Sequence, residues 1–156
     1  MTTNDLCVGE RMRHQGRVTY SSGRPICQGL AGAIKRLPGS AAVTSRPFVL
    51  VHGIGVSSRY FHPLAGQLAK SGEVFLIDPA GYGSVPDPKR DVSILMNADV
   101  LCTFPQRAGV GNPVLAGHSI GSPVVTQLAT GYFARCGIPC FFAQSRLASL
   151  IPKHPA

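Results

Sequence analysis

The sequence predicts an α/β fold, in which helices flank a mostly parallel sheet. Three short apolar runs have the features of buried strands, and each is followed by a segment with apolar residues at helical spacing. Strands and helices alternate in this way when parallel strands are joined by crossover helices. The pattern is clear from Pro47 onward, whereas residues 1–46 show only weak periodicity.

The three predicted strands are continuous apolar runs rather than alternating ones, as expected for strands that are buried on both faces. They lie at residues 48–51, 73–78 and 113–116. In the N-terminal segment, residues 17–20 have the composition of a further short strand. Residues 30–37 have the spacing of one or two helical turns.

Three helices are predicted between and after these strands, and their caps can be read from the sequence. A serine at position 57 or 58 is the expected N-cap of the first helix, and Asp91 is that of the second. Pro105 is expected to end the second helix, because proline lacks the N–H group that a helix interior needs. The helices are predicted at residues 58–70, 91–104 and 119–129.

The composition is that of a globular protein, with 44% hydrophobic and 14% charged residues. A net charge of +8 raises the question of nucleic-acid binding, but the excess lies in the flanks. Residues 1–46 hold seven Lys or Arg against two acids, residues 132–156 hold three against none, and residues 47–131 hold five of each. Because no basic face or nucleic-acid-binding motif is present, we expect no nucleic-acid partner.

Cysteine usage and hydropathy bear on location and cofactors. The five cysteines form neither a regular disulfide pattern nor a zinc motif, which favours free thiols in a cytoplasmic protein. No apolar run reaches the length of a membrane span, and the N-terminus lacks the apolar core of a signal peptide. We therefore expect a cytoplasmic protein with no membrane partner, and nothing indicates a metal or an organic cofactor.

The most informative motif is Gly117-His-Ser-Ile-Gly121, a G-x-S-x-G sequence between the third strand and the third helix. A serine in a tight strand-to-helix turn needs neighbours without side chains, because backbone segments approach closely there. The helix N-terminus behind Ser119 offers N–H groups to a developing oxyanion. We therefore interpret Ser119 as a candidate nucleophile, against the alternative of a plain glycine-rich turn.

With two upstream motifs, this turn resembles the α/β-hydrolase family in its esterase, lipase and C–C hydrolase branches. His52-Gly-Ile-Gly55 resembles the oxyanion-hole loop of that family, and Asp78-Pro-Ala-Gly-Tyr-Gly83 resembles its D-x-x-G-x-G turn. The resemblance covers residues 47–131 and implies a partial α/β-hydrolase fold without the C-terminal strands and the lid. It also implies a serine hydrolase that acts on an ester or similar bond of a small molecule and needs no cofactor.

The resemblance implies a role for each residue of these motifs. Ser119 is the nucleophile, and the backbone N–H groups of Ile54 and Ile120 stabilise the oxyanion. His118 falls at the variable position of the serine turn and is expected to be structural rather than the catalytic base. The residues expected to shape the three turns are His52, Gly53, Gly55, Asp78, Gly117 and Gly121.

The other members of a catalytic triad are missing from the pattern. No Asp or Glu follows Ser119, and the only histidine beyond the serine turn is His154, two residues from the C-terminus and so a poor rigid base. We therefore expect weak or no turnover.

The last 25 residues also differ from the rest, since they hold no acid and lose the helical spacing. We hypothesise a frameshift or truncation near residue 131. The chain then divides into a poorly defined segment (1–46), a hydrolase core (47–131) and an atypical tail (132–156). The alternative is a divergent short protein with a replacement strand at residues 138–142.

Two other functions stay open at this point. Gly53-Ile-Gly-Val-Ser-Ser58 is a degenerate form of the dinucleotide-binding G-x-G-x-x-G, and Asp78 lies near the expected place of its ribose-binding acid. That reading predicts a nucleotide-binding oxidoreductase, although serine stands at the third glycine position. A non-catalytic α/β binding module would keep the same frame with an inert Ser119.

Overall fold

A computed structural model describes residues 13–15, 18–23, 26–27, 30–40, 46–83, 85–107, 110–136 and 141–144. Helix α1 follows a 3₁₀ turn at Ser58–Phe61. The strands are β1 Arg13–Gln15, β2 Val18–Gly23, β3 Ile26–Cys27, β4 Leu30–Ala31, β5 Ala33–Leu37, β6 Phe48–Val51, β7 Val74–Asp78, β8 Val114–Gly117 and β9 Phe141–Gln144. The helices are α1 His62–Leu68, α2 Ile94–Arg107 and α3 Gly121–Cys136.

Seven of these strands form one sheet, in the order β1-β2-β5-β7-β6-β8-β9. The four strands from β7 to β9 run parallel, while β1, β2 and β5 extend the sheet by antiparallel pairing. Strands β3 and β4 pair with each other in a separate two-stranded ladder. The predicted α/β class with a mostly parallel sheet is confirmed.

The core lies on both faces of the central strands, as their continuous apolar sequences require. Side chains alternate along β6, so that Val49 and Val51 pack on the side of α2 and α3 while Leu50 packs on the side of α1. From the helices, the first side receives Ala98, Leu101, Val124, Val125 and Leu128, and the second receives Phe61 and Ala65. The three central strands are therefore held rigidly between two helical layers.

The predicted helix at residues 30–37 is wrong, because this segment forms β4 and β5. Strand β5 pairs with β7 over five residues, from Ala33 opposite Asp78 to Leu37 opposite Val74. Pairing with a central strand satisfies the backbone of Ala33–Leu37 and overrides the weak helical spacing of this segment. The strand predicted at residues 17–20 corresponds to β2, which starts at Val18.

The first two predicted helices are present, with one cap corrected. Ser57 caps the 3₁₀ turn that leads into α1, its Oγ accepting from the N–H of Arg59 at 3.4 Å. Helix α2 starts at Ile94 rather than at Asp91, because the Oγ of Ser93 accepts the N–H of Met96 at 3.1 Å. The same helix continues past Pro105 to Arg107, so the end predicted at this proline is wrong.

The third predicted helix starts two residues later and ends later than expected. Ser119 and Ile120 form a turn, and α3 runs from Gly121 to Cys136, across residue 131. Pro123 is therefore the third residue of the helix, where an N–H group has no intrahelical acceptor in any case. Strand β9 follows in the tail and pairs in parallel with β8. It overlaps the replacement strand of the alternative interpretation, whose residues 138–140 lie outside the described residues.

Candidate functional site

The carboxyl ends of β6, β7 and β8 bring the three sequence motifs to one edge of the sheet. Val51 lies opposite Ile77 of β7 and Gly117 of β8. The residues that come next in each strand, His52, Asp78 and His118, consequently lie side by side. In open α/β sheets, this carboxyl edge is where ligands bind.

Ser119 occupies a strained turn at this edge. Its φ of +54° is in the left-handed region, which is common for glycine but which other residues, apart from asparagine and aspartate, rarely adopt. Two short-range hydrogen bonds fix the turn, from the N–H of Gly121 to the carbonyl of His118 and from the N–H of Ser122 to the carbonyl of Ser119, both at 2.9 Å. The turn leaves Ser119 exposed to solvent at the start of α3, in the conformation that a nucleophile elbow requires.

The glycines on either side of Ser119 allow the turn to pack against its neighbours. A Cβ atom on Gly121 would overlap the carbonyl oxygen of Val51, at the end of β6. A Cβ atom on Gly117 would overlap the carbonyl oxygen of Gly121 itself. Both positions therefore require glycine for the close approach of the backbone segments.

The segment that follows β6 lies directly against Ser119. We refer to residues 52–57 as the β6 loop. A Cβ atom on Gly53 would stand 2.8 Å from the Cβ of Ser119, so the loop and the serine turn are in contact. Beyond it, Gly55 has a φ of +75° and turns the chain back toward the 3₁₀ turn.

Two backbone donors flank this contact. In the part of the chain that the structure describes, no hydrogen bond engages the N–H of Ile54 or that of Ile120. Ile54 follows Gly53, and Ile120 follows Ser119, so both donors are one residue away from the close contact. The side chain of Ile54 is 63% exposed, and the loop is accessible to a ligand.

His52 and Asp78 are buried beneath the loop and contact each other. The Nε2 atom of His52 lies 3.1 Å from Oδ1 of Asp78, and its Nδ1 lies 2.8 Å from the carbonyl oxygen of Gly53. Both ring nitrogens of His52 therefore face groups within the protein. The ring cannot serve Ser119 as a base in this conformation.

Asp78 is the centre of a buried polar network with two members that sequence reasoning missed. Its Oδ1 accepts the backbone N–H of Ser58 at 2.6 Å, and its Oδ2 lies 3.6 Å from Nζ of Lys35. Lys35 also donates to Oγ of Ser58 at 2.6 Å. The signal for Lys35 was its place among the apolar residues of β5, which the helical assignment concealed.

The network determines the ionisation of Asp78. Burial raises the pKa of this carboxyl, but the contact with the His52 ring, the hydrogen bond from Ser58 and the positive charge of Lys35 outweigh burial and hold the pKa well below its usual range. Nearby, burial lowers the pKa of His62, and the charges of Lys35 and Arg59 lower it further against the opposing effect of Asp78. Asp78 is thus a carboxylate at neutral pH. Gly83 completes this turn, because a Cβ atom there would overlap the Asp78 carboxyl group.

His118 packs within the protein beside Ser119. Its ring stacks on that of Tyr60, with centroids 4.9 Å apart and planes inclined by 29°. Tyr60 in turn contacts Phe61, which is fully buried in the core. The remaining histidine of interest, His154, lies outside the described residues.

The described ranges provide neither a candidate metal site nor a candidate membrane span. No group of three or more His, Cys, Asp or Glu side chains is arranged there to hold a metal ion. None of the helices there combines the length and the apolarity that crossing a lipid bilayer demands.

The chain resembles known proteins over most of its described length. A family model for the alpha/beta hydrolase fold matches residues 46–148, which include β9. The pimeloyl-[acyl-carrier protein] methyl ester esterase of Aeromonas salmonicida (strain A449) is 31% identical over 67% of this chain and 43% of its own length. The chain therefore spans less than half the length of that curated relative.

This chain also covers less than half of two solved structures with the same fold. Cfl2 of Burkholderia cenocepacia superposes with a TM-score of 0.68 at 21% identity, over 80% of this chain and 42% of its own. An alpha/beta hydrolase fold protein of Burkholderia ambifaria gives a TM-score of 0.64 at 24% identity, over 87% of this chain and 45% of its own. At these identities the likeness concerns the fold alone.

Proposed function

This chain belongs to the α/β-hydrolase family, and from that premise we propose that it is a serine hydrolase whose nucleophile is Ser119. The observation that carries the proposal is the geometry around this residue. Ser119 is exposed on a strained turn, and Gly53 lies against it. Among the described residues, none accepts a hydrogen bond from the N–H groups of Ile54 and Ile120 on either side. Such an arrangement suits attack on a carbonyl and stabilisation of the resulting oxyanion.

The proposed substrate is an ester or similar bond in a small molecule. The Oγ atom of Ser119 would add to the carbonyl carbon, and the oxyanion would accept hydrogen bonds from Ile54 and Ile120. Departure of the alcohol would leave an acyl-enzyme, which water would then hydrolyse. An esterase among the relatives supports this bond type.

We further propose that these 156 residues alone turn over substrate slowly or not at all. Attack by Ser119 needs a base to accept its proton, and the ring of His52 is turned toward Gly53 and Asp78 instead. No acid follows Ser119 in the sequence. When triad members are lost, binding and the oxyanion donors still provide about 10³–10⁴-fold acceleration over water, which sets the scale of the expected rate.

Rescue by an external base tests this proposal. Hydrolysis of a p-nitrophenyl ester is followed in increasing millimolar imidazole, with the chain and with its Ser119→Ala variant. The variant measures the reaction of imidazole itself with the ester. We expect the two proteins to differ little without imidazole, and the parent chain to become faster as imidazole accepts the serine proton. Equal rates at every imidazole concentration would contradict the proposal and favour the non-catalytic binding module.

A further inference from the structure

We propose that Lys35 is a positioning residue for the β6 loop, which it holds in place through Asp78 and Ser58. The effect on catalysis rests on the proposed function, because the loop matters for chemistry only if Ile54 is an oxyanion donor. The positioning itself depends on the structure alone and is tested separately.

One carboxylate oxygen ties both ends of the β6 loop. Oδ1 of Asp78 lies 3.1 Å from Nε2 of His52, the first residue of the loop, and accepts the N–H of Ser58, the residue that follows it, at 2.6 Å. The five residues between these two anchors include Gly53 and Ile54. The position of the Ile54 N–H relative to Ser119 therefore depends on the position of one buried carboxylate.

Lys35 holds that carboxylate from the opposite side. Its Nζ lies 3.6 Å from Oδ2 of Asp78 and donates to Oγ of Ser58 at 2.6 Å, so it contacts both the anchor and the loop end. The side chain of Lys35 is 12% exposed and that of Asp78 is 1% exposed. A charged pair in such surroundings interacts strongly, and removal of one partner leaves the other charge buried without compensation.

The backbone of Lys35 is itself fixed relative to Asp78. Lys35 lies in the middle of β5, opposite Leu76 of β7, and the ladder continues to Ala33 opposite Asp78. The neighbouring residue, Arg36, points to the other side of the strand and forms an exposed ion pair with Glu73. Two adjacent cations on one strand thus have different surroundings, which provides a matched control.

Loss of the Lys35 charge is expected to loosen the loop rather than only to weaken the fold. Without the Lys35 charge, Asp78 would take up a proton more readily or admit water, and either change weakens its hold on His52 and Ser58. A displacement of about 1 Å in a catalytic group is enough to cost on the order of a hundredfold in rate. Lys35 therefore acts on Ser119 chemistry through the Ile54 donor, without contacting the substrate.

The experiment compares the parent chain with Lys35→Met, Lys35→Arg and Arg36→Met. The first readout is amide hydrogen exchange of peptides that cover residues 52–58, with residues 114–117 of β8 as internal reference. We expect Lys35→Met to exchange at least about tenfold faster in the β6 loop but not in β8. Lys35→Arg should restore most of the protection, and Arg36→Met should match the parent.

The second readout is the rate at which a fluorophosphonate probe captures Ser119, followed by mass spectrometry. We expect about a tenfold slower capture in Lys35→Met at saturating probe, with rescue in Lys35→Arg. A parent chain that is never captured would refute the proposed function, while the exchange data would still decide the positioning role. Equal exchange of the β6 loop in the parent and in a folded Lys35→Met would overturn that role.

Ser58→Ala is a milder variant that tests the same contact if Lys35→Met does not fold. Ser58→Ala removes the hydroxyl that accepts from Lys35 but keeps the backbone N–H that binds Asp78. We expect faster exchange in the β6 loop of this variant with little change in the melting temperature. If Lys35→Met does not fold, equal rates of amide hydrogen exchange in the β6 loop of Ser58→Ala and of the parent chain would contradict the inference.

Discussion

Gly53 lies against Ser119 so closely that a methyl group on Gly53 would stand 2.8 Å from the Cβ of the serine. The first residues of the β6 loop and the turn at the start of α3 therefore form one unit. Strand register produces this contact, because Val51 at the end of β6 lies opposite Gly117 at the end of β8, so the two strands end at the same level of the sheet. Neither motif alone predicts how closely the other approaches.

Replacement of Gly53 by alanine should separate the loop from the serine. The added methyl group would stand 2.8 Å from the Cβ of Ser119, too close for two side-chain atoms, and 3.1 Å from atoms of His118. We therefore expect Gly53→Ala to lower the free energy of unfolding by about 1–3 kcal/mol. Urea denaturation measures the change. Gly66→Ala is the matched control, because Gly66 in α1 has open space around it and should gain about 0.5–1 kcal/mol. Equal effects of the two substitutions would contradict the contact.

The strain at Ser119 predicts an unusual order of stability among its variants. A left-handed conformation costs an L-residue roughly 1–2 kcal/mol, and glycine avoids this cost but loses more backbone entropy on folding. We therefore expect Ser119→Gly to be more stable than Ser119→Ala by about 0.5–1 kcal/mol. Parallel urea titrations test the order, and an alanine variant that is as stable as the glycine variant would mean that the turn is unstrained.

Asp78 should give the protein a dependence on acid that its asparagine variant lacks. Since the folded-state pKa of Asp78 is depressed, its contribution is fully present above the unfolded-state value of about 4 and is lost as pH falls toward the folded-state pKa. Asp78→Asn should unfold more easily at pH 7, by about 3 kcal/mol, because the buried ammonium group of Lys35 no longer faces a carboxylate. It should also lose less stability between pH 5 and pH 3 than the parent chain, as urea denaturation at each pH would show.

The exposed Asp87 provides the control for this experiment. Asp87→Asn removes one carboxylate from the surface and should leave both the stability at pH 7 and its loss on acidification close to those of the parent. A parent chain and an Asp78→Asn variant with the same dependence on acid would contradict the assignment of a buried carboxylate at this position.

The corrected cap of α2 gives a direct comparison of two neighbouring residues. Ser93→Ala removes the Oγ that accepts the Met96 N–H and should cost about 1 kcal/mol, whereas Asp91→Ala should cost close to nothing. Thermal or urea unfolding distinguishes the two. A larger loss in Asp91→Ala would restore the cap that the sequence suggested.

The hydrolase core was largely predictable because its sequence signals are local and agree with one another. Strand β6 lies at the predicted residues, and β7 and β8 lie within one residue of theirs. Buried parallel strands have apolar sequences, and the glycines of each turn follow directly from them. The same agreement places the serine turn, since the motif falls between a predicted strand and a predicted helix.

Features that depend on partners distant in sequence were not predictable in the same way. The strand that carries Lys35 is specified by its pairing with β7, about 40 residues later, so local spacing gave a helix instead. The contact of Lys35 with Ser58 follows from that pairing. The effect of Pro123 on α3 likewise depends on the residue at which the helix begins. In a helix that starts at residue 119, Pro123 would be the fifth residue and would lack an intrahelical hydrogen bond. In the observed helix, which starts at Gly121, it is the third residue, where no such bond forms.

The measurement that tests the central claim most directly is covalent capture of the nucleophile. The chain is incubated with a fluorophosphonate probe, beside an active serine hydrolase, and the adduct is located by peptide mass spectrometry. We predict one adduct, on Ser119, that forms much more slowly than that of the active enzyme and faster when imidazole is added. No adduct on Ser119 would contradict its role as nucleophile. An adduct that forms as fast as that of the active enzyme would contradict the proposed lack of an effective base.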